Sequence, residues 1–418
     1  MFCNSKNIFL SISLILCLVN PTDCMNASAV GGGRIRIGRV FEGNNITVTN
    51  GQTYIDGVLQ NDGGAEIFGS SSQSSWNCKS EDIKTYPLVN DSGISIENSN
   101  GDIDVLSHDG TNAILHITKL GATEGDLNNI YADVIVTDKS LQIITKYLNP
   151  AAKALINYQL LLPKINKYSC NFKTSSGDTS IKEIDAEVNA TSMSGKINVE
   201  KIIGTTQAKT SSGDMKFKTI TGRLTATTQS GSVEAKKIEG PAQFTSYSGD
   251  MDIDTVSQNT EAHTASGTLD IKNIAAILHA VSTSGDMDIS NVASHFIGRS
   301  VSGRVKAGEI KGNSTIDTSS GDIISDTEGE FKGNSSSGNI KLHKKNINAP
   351  ITIATSSGDI EICSGTFDAM LEAATRSGDL SSDFAMPVRK NRISAQVGNG
   401  GPRVSLRAAS GDITLTQN

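Results

Sequence analysis

Aspartate follows a Ser-Gly dipeptide again and again along this chain, and a column of carboxylates is suited to acid–base or metal chemistry. The aspartates in this position are Asp178, Asp214, Asp250, Asp286, Asp322, Asp359, Asp379 and Asp412. Because the first five occur in alternate repeats, neighbours on stacked parallel strands are expected about 9.6 Å apart. That distance is too long for a shared Ca²⁺ ion and at the outer limit for an inverting glycosidase pair. We therefore expect turn aspartates that bond their local backbone.

Histidine gives a second candidate for chemistry, a metal site. His263, His279 and His295 fall in three successive repeats at outward-facing positions, along a diagonal. Combined strand and residue spacings place neighbours about 8 Å apart, which is too wide for zinc ligands and favours a solvated stripe. The sequence also contains no Gly-x-Ser-x-Gly elbow, no Cys-x-x-Cys pair and no phosphate loop. We predict no catalytic residue, no cofactor-binding residue and no metal ligand, and hence no enzyme.

A basic cluster near the carboxyl end is the one candidate binding surface. Arg389, Lys390 and Arg392 lie in an irregular segment after Pro387. Such a cluster can contact an anionic surface polymer or a lipid headgroup, and the alternative is an ordinary solvated loop. Nucleic acid is not expected as a partner, because the net charge is −7 and no aromatic residues are interleaved with the basic ones.

The elements that position these residues follow from one repeat. Between Gly177 and Gly321 a Ser-Gly dipeptide returns every 18 residues. A period this short cannot form separate globular cores, so each unit must bury its apolar side against the next, as in a solenoid. The glycine is expected to supply a turn, with a positive φ as one possibility.

Each repeat carries two short runs of alternating apolar residues, which predict two strands separated by a corner. In one repeat the inward residues are Met251, Ile253, Val256 and Ala262. A hydroxyl residue such as Thr264 recurs at the fifteenth position, and we expect these hydroxyls to bond one another along the stack. Calcium-binding rolls and left-handed hexapeptide helices have different patterns and are rejected. The prediction is an all-β, single-stranded parallel β-helix with about 18 residues per coil, preferably right-handed, and an N-terminal β-rich cap.

The chain divides into five predicted segments. Residues 1–29 have the basic start, apolar stretch and small-residue end of a signal peptide, and residues 30–88 form an N-terminal lead-in. Residues 89–175 are predicted to form the β-rich cap, residues 176–378 the regular coils, and residues 379–418 an irregular C-terminal coil and cap that closes with a final strand.

Cysteine use and the single apolar segment favour an extracytoplasmic protein. Cys24 leaves lipidation open, although the Asp before it is a poor acylation context. Cys78, Cys170 and Cys363 are too few and too scattered for a disulfide framework. Because no second apolar segment follows, we expect no transmembrane segment in the mature chain, which is then secreted, periplasmic or on the cell surface.

Several motifs together resemble a known family. The run Tyr158–Pro163 leads into Thr174–Asp178, Ser-Gly-Asp coils repeat after it, and Gly400–Leu406 precedes the last of them at Ser410–Asp412. This combination is similar to the bacterial putative-adhesin β-helix family, a domain of unknown function, over roughly residues 90–418. The resemblance implies a β-solenoid at the cell envelope and transfers no catalytic or ligand residues.

The sequence is compatible with three classes of function. The favoured one is a non-enzymatic secreted or envelope β-solenoid, an adhesin-like binding or structural scaffold whose partners are an envelope glycan, a surface protein or its own copies. The alternatives are an envelope sensory or regulatory module and, less favoured, a carbohydrate-active enzyme on a parallel β-helix. A fold alone does not decide among these classes.

Overall fold

A computed structural model describes residues 12–17, 24–30, 46–49, 52–55, 58–59, 76–386 and 391–417, with side chains from residue 76 onward. The chain forms two units, Met1–Ser75 and Trp76–Asn418. The first contains a five-stranded sheet with its strands in chain order. These strands are β1 (Ile12–Cys17), β2 (Cys24–Val30), β3 (Ile46–Thr49), β4 (Gln52–Ile55) and β5 (Val58–Leu59). The predicted signal peptide, residues 1–29, stays a prediction.

The second unit is the predicted all-β solenoid, and it contains a single described helix, α1 (Glu124–Asn128). Its strands, in chain order, are β6 (Cys78–Pro87), β7 (Ser92–Asn100), β8 (Ile103–His108), β9 (Asn112–Gly121), β10 (Ile130–Thr137), β11 (Ser140–Tyr147), β12 (Ala154–Pro163), β13 (Tyr168–Ser176), β14 (Thr179–Lys182), β15 (Ala186–Ser192), β16 (Ile197–Ile202), β17 (Thr206–Thr210), β18 (Met215–Ile220), β19 (Leu224–Thr228), β20 (Val233–Ile238), β21 (Ala242–Ser246), β22 (Met251–Val256), β23 (Thr260–Thr264), β24 (Leu269–Ile274), β25 (Leu278–Ser282), β26 (Met287–Val292), β27 (Phe296–Ser300), β28 (Val305–Ile310), β29 (Ser314–Thr318), β30 (Ile323–Thr327), β31 (Phe331–Ser335), β32 (Ile340–Asn346), β33 (Ile351–Thr355), β34 (Ile360–Thr366), β35 (Ala369–Thr375), β36 (Leu380–Ser382), β37 (Arg392–Val397), β38 (Arg403–Ala408) and β39 (Ile413–Gln417).

Each coil contributes one strand to each of two parallel sheets. Sheet I contains the strands that follow the Ser-Gly dipeptide, from β14 to β34 by even numbers. Sheet II contains the strands that precede it, from β13 to β33 by odd numbers, and continues through β38, β35 and β37. Equivalent residues 18 apart pair in exact register, as Met251 does with Leu269. The alternating pattern places Met251, Ile253 and Val256 in the core, each at most 1% exposed. The predicted period and inward residues are confirmed.

The repeated glycine is required by close approach between coils. A Cβ on Gly195 would overlap the carbonyl oxygen of Gly177, far inside the 3.0 Å that real Cβ atoms keep. The same overlap recurs at Gly213, Gly231 and Gly249. Among the nine glycines of the regular series only Gly303 has a positive φ, of 151°. The close packing of stacked turns, rather than a left-handed turn, therefore explains this column.

The buried hydroxyls of the fifteenth position do not form the expected ladder, and three of them bond within their own coil instead. The Gly195 N–H donates to Ser192 Oγ at 2.8 Å, and the Gly285 N–H donates to Ser282 Oγ at 2.9 Å. Thr318 Oγ1 donates to the Gly321 carbonyl at 2.8 Å. Equivalent hydroxyls on parallel strands are about 4.8 Å apart, which is too long for an O–H···O bond. Ser192, Ser282 and Thr318 thus bond the turn that follows them. The equivalent hydroxyls of the other regular coils form no side-chain hydrogen bond, namely those of Thr210, Thr228, Ser246, Thr264 and Ser300.

A second conformational column lies at the corner after each sheet I strand. Eight non-glycine residues in the sixth position after the glycine have φ between 54° and 60°. They are Glu183, Lys201, Thr219, Lys237, Thr255, Asn273, Asn291 and Glu309. The left-handed residue is skipped in the strand pairing. Lys218 and Ile220 each pair with a residue of β20, whereas Thr219 between them does not. This turn brings the next residue, an Ile or Val, back into the core.

At both ends of the solenoid the order in space differs from the order in the chain. At the amino end the coil of β7 and β8 lies between the coil of β11 and β12 and the coil of β13 and β14. At the carboxyl end the last coil, β38 and β39, is inserted between β33 and β34 on one side and β35 and β36 on the other. The final strand is therefore an interior one, and antiparallel β37 lies outside β35. The antiparallel strands β6, β9 and β10 occupy the other end.

Candidate functional site

The aspartate column joins successive coils instead of bonding its local backbone as expected. The Oδ1 atom of each aspartate accepts from the backbone N–H of the residue that follows the glycine in the next coil, at 2.8 to 3.0 Å. The donor residues, for Asp178, Asp214, Asp250, Asp286 and Asp322, are Lys196, Ser232, Thr268, Arg304 and Asn339. Strand stacking provides this donor, since the equivalent amide of the next coil lies one strand spacing away. The bonds make the column a structural element.

Electrostatics agree with this structural role. Hydrogen bonds from the Thr268 amide and then the Thr268 hydroxyl lower the pKa of Asp250 below its ordinary value. Asp214 is affected in the same way by the amide and hydroxyl of Ser232. A carboxylate with a lowered pKa is a poor proton donor near neutral pH. Neither aspartate has the raised pKa of a general acid.

The histidines approach more closely than their backbone spacing suggests. The rings of His263 and His279 have centroids 5.7 Å apart in an edge-on arrangement, because the two side chains converge over sheet II. Burial, followed by repulsion from His263, lowers the pKa of His279. His295 Nδ1 accepts from the Asn313 N–H at 3.2 Å and so helps to join two coils. Among residues 76–386 and 391–417, no three His, Cys, Asp or Glu side chains are grouped to hold a metal.

Lys344 is a buried titratable group outside any cleft. Its side chain lies inside the solenoid and is 2% exposed. Its Nζ donates to the carbonyls of Glu328 and Gly329 at 3.0 and 2.8 Å. Burial lowers its pKa to about 8, against the attraction of Asp326 and Glu328. The coil from Gly321 to Gly338 has 17 residues and the following one has 20, and the lysine bonds the corner carbonyls at this break in period.

The basic cluster is only partly described. Arg389 and Lys390 lie outside the described residues, whereas Arg392 is exposed at the start of β37. The fold brings two further arginines to the same outer face of sheet II, Arg403 and Arg407 on β38. We call Arg392, Arg403 and Arg407, with Glu372 among them, the C-terminal basic surface.

One outward column of this surface alternates arginine with alanine. Arg392 pairs with Ala374, Ala374 with Arg407, and Arg407 with Ala354. The small alanine side chains leave room on both sides of Arg407. A shallow depression of about 370 Å³ lies between β33 and β38, on the Ala354 side of Arg407, and its lining includes Thr352, Ala354, Arg403, Ser405 and Arg407.

Glu372 is an anion surrounded by the three arginines. Arg403 Nη2 donates to Glu372 Oε2 at 2.8 Å. The hydrogen bond and charge of Arg403, followed by the charges of Arg392 and Arg407, lower the pKa of Glu372. Among the residues with described side chains, Arg392 and Arg407 form no ion pair. The surface can therefore accept a second anion.

Sequence reasoning identified Arg392 but missed Arg403 and Arg407. A signal was present, since Val404 and Leu406 are apolar at alternate positions, which predicts a strand with Arg403, Ser405 and Arg407 on its outer side. The pairing of β38 with β35 and of β35 with β37 could not be inferred, because the chain places the last coil out of sequence.

These coils define the class of the protein, a β-solenoid of 18-residue turns with two long outer faces. The family model described as Toastrack DUF4097 matches residues 43–275, 201–311 and 261–416. The chain belongs to this family, which confirms the resemblance noted from its motifs. No curated protein matches the chain.

Solved structures show similar chains at low identity. A structure described as a putative cell adhesion protein from Clostridium sporogenes is 10% identical, covers 82% of this chain and 100% of its own, and has a TM-score of 0.17. One described as a putative adhesin from Bacteroides fragilis is 15% identical over 68% and 97% of the two chains, with a TM-score of 0.21. One described as a putative lipid binding protein from Parabacteroides distasonis is 12% identical over 66% and 94%, with a TM-score of 0.23.

In the part of the chain that the structure describes, no helix has the length and apolar character needed to cross a bilayer.

Proposed function

We propose that this protein is a non-enzymatic binding scaffold of the adhesin-like kind, placed outside the cytoplasm at the cell envelope. The observation that carries the proposal is a difference between the inward and the outward columns of side chains. Inward columns repeat one apolar pattern, while an outward column changes along the stack, from Lys209 through Thr227 and Thr245 to His263 and Val281. A rigid core that displays varied side chains on a flat face suits binding more than catalysis.

The two outer faces differ in how much their charges are already neutralised. On sheet I, Lys216 and Lys236 both bond Glu234, at 2.8 and 2.6 Å, and Lys272 bonds Asp270 at 2.8 Å. Sheet II displays few charges between Thr225 and Ile297 and then reaches the basic surface at its carboxyl end. The outer face of sheet II is therefore the better candidate for contact with a partner.

The proposal is tested by sedimentation of the purified full chain with cell-envelope fractions, together with a glycan array. We expect saturable binding without release of sugar. Thr227→Arg and Thr245→Arg add bulk and charge to the regular part of sheet II while leaving the core intact, and they should weaken binding if that part makes the contact. Lys216→Ala and Lys272→Ala on sheet I serve as matched controls with no expected effect. Absence of saturable binding, or glycan cleavage, would overturn the proposal.

Compartment is a separate part of the proposal. The signal peptide, residues 1–29, is expected to direct the chain out of the cytoplasm. Fractionation of cells that produce the full chain, with intact-mass measurement of the product, tests this. A cytoplasmic product that retains residues 1–29 would contradict it.

A further inference from the structure

We propose that the C-terminal basic surface is an anion site in which Arg392 and Arg407 together hold a phosphate group of an envelope polymer or a lipid headgroup. The inference rests on the proposed function and names the ligand chemistry of one part of sheet II. The two arginines come from segments 15 residues apart in the chain. Only the insertion of β38 between β33 and β35 brings them into one column.

The geometry of the column suits convergence on one ligand. Arg392 and Arg407 are separated by the single strand that carries Ala374. Two strand spacings place their backbones about 9.6 Å apart, and two extended arginine side chains can meet over that gap. A longer side chain at position 374 would occupy the space between them. Alanine leaves it open.

Charge favours an external anion at the same place. Three guanidinium groups, of Arg392, Arg403 and Arg407, surround one carboxylate, of Glu372. Arg403 bonds that carboxylate directly, so the other two keep their donors for a ligand. The whole chain has a net charge of −7. A local surplus of positive charge on an acidic protein therefore concentrates anions at this surface.

The shape of the donors favours phosphate over a carboxylate. Each guanidinium presents a planar fork that matches two oxygens of a phosphate or a carboxylate. Two forks that approach from opposite sides can both be satisfied by a tetrahedral group, which carries oxygens in several directions. A planar carboxylate that binds one fork across both oxygens keeps acceptor sites only in its own plane, which restricts how a second fork can approach.

The test measures binding of the full chain to two phosphate probes and one carboxylate probe. The probes are soluble polyphosphate, phosphatidylglycerol vesicles diluted with phosphatidylcholine, and polygalacturonate. For Arg392→Ala with Arg407→Ala we expect binding to a phosphate probe about tenfold weaker, and for each single change about threefold weaker, as for exposed charge-assisted bonds. Binding should also weaken with added salt.

Two further variants separate a specific site from general charge. Arg299→Ala removes an exposed arginine from the same outward column of sheet II, in the regular coils, and should leave affinity unchanged. Glu372→Gln removes the competing carboxylate and frees Arg403, so affinity should rise several-fold. The circular dichroism and thermal unfolding of every variant are compared with those of the parent chain.

The outcomes decide the proposal. Binding to polyphosphate alone identifies a polymer as the source, and binding to the vesicles identifies a lipid headgroup; either supports the site if it depends on Arg392 and Arg407. Equal losses for Arg299→Ala and Arg407→Ala, no gain for Glu372→Gln, or a preference for polygalacturonate would overturn it. If phosphate binds here but envelope fractions do not bind, the site stands and the envelope function fails. If envelope fractions bind the double variant as well as the parent chain, the envelope function stands and the anion site fails.

Discussion

The carboxylate of Asp250 accepts two hydrogen bonds from Thr268, the residue in register with it in the next coil. The Thr268 backbone N–H and hydroxyl both donate to Asp250 Oδ1 at 2.8 Å. A side chain that the sequence suggested for chemistry thus links one coil to the next. The same arrangement joins Asp214 to Ser232, so a hydroxyl residue in the next coil adds a second bond to the one that its amide donates.

Asp250→Ala should destabilise the solenoid. The change leaves the Thr268 amide without its acceptor, and we expect a loss of about 1–2 kcal/mol in the free energy of unfolding, since hydrogen bonds to a charged group are among the stronger ones. Urea denaturation followed by circular dichroism measures this loss. Asp252→Ala is the matched control, because Asp252 is exposed on the same strand and stacks against Glu234 and Asp270. An equal loss for the control would contradict the role of the Asp250–Thr268 bonds.

The same bonds predict an acid dependence. The pKa of Asp250 is lowered in the folded chain, so its contribution is complete above the ordinary value of 3.8 and is lost as the pH falls through the lowered pKa. The stability difference between the parent chain and Asp250→Ala should therefore shrink only below pH 4. Unfolding curves of both proteins from pH 7 to pH 2.5 measure it. A difference that stays constant over this range would exclude the charged form as the acceptor.

Gly231→Ala should be strongly destabilising although it adds one methyl group. The new Cβ would overlap the Gly213 carbonyl oxygen in the neighbouring coil. Forcing two stacked turns apart costs about 1–3 kcal/mol, as overpacking does elsewhere. Gly308→Ala is the control, since the nearest atom to its Cβ would be the Ile289 carbonyl oxygen at 4.0 Å, and there we expect no loss. Thermal unfolding compares the two, and similar midpoints would show that the overlap can relax.

Much of this fold could be predicted from the sequence because one signal repeats. The 18-residue spacing and inward residues such as Ile253 and Val256 follow from side-chain period and were confirmed. The corner between the two strands was predicted, but the positive φ of Thr219 there was not, because it departs from the local conformational preference of threonine. The helix α1 was also missed, although Thr123 and Asp126 form the capping box that begins it.

The candidate site could be predicted only in part. Arg392 is visible as a member of a basic run, whereas Arg403 and Arg407 are separated from it in the chain and join it by strand insertion. The sequence of β38 does not show which strands lie beside it, because its alternation of exposed and buried residues fits any position in sheet II. Pairing between distant segments is set by the competition among all coils for neighbours.

Thr219→Asn should stabilise the protein. Thr219 has a φ of 58°, a conformation that is costly for a β-branched residue and much less so for asparagine. Asparagine occupies the same corner at Asn273 and Asn291, where each side chain donates to the coil before it. We expect a gain of about 1 kcal/mol in the free energy of unfolding. Urea denaturation checks the gain, Asn291→Thr should produce a loss, and a neutral result for both changes would show that the corner carries no strain.

Because Lys344 is buried, the stability of the protein should rise at alkaline pH. Burial lowers its pKa in the folded chain from 10.5 to about 8, so between these values the folded protein binds fewer protons than the unfolded chain. Stability therefore increases with pH across this window, by on the order of 3 kcal/mol from this group when the shift is converted at 1.36 kcal/mol per pKa unit. Lys344→Met keeps an unbranched side chain but cannot titrate, and it leaves the Glu328 and Gly329 carbonyls without their donor. The stability difference between parent and variant, measured by urea denaturation from pH 7 to pH 10.5, should widen in favour of the parent. A constant difference would mean that the amine stays protonated in the core throughout, bonded to those carbonyls and balanced by Asp326 and Glu328.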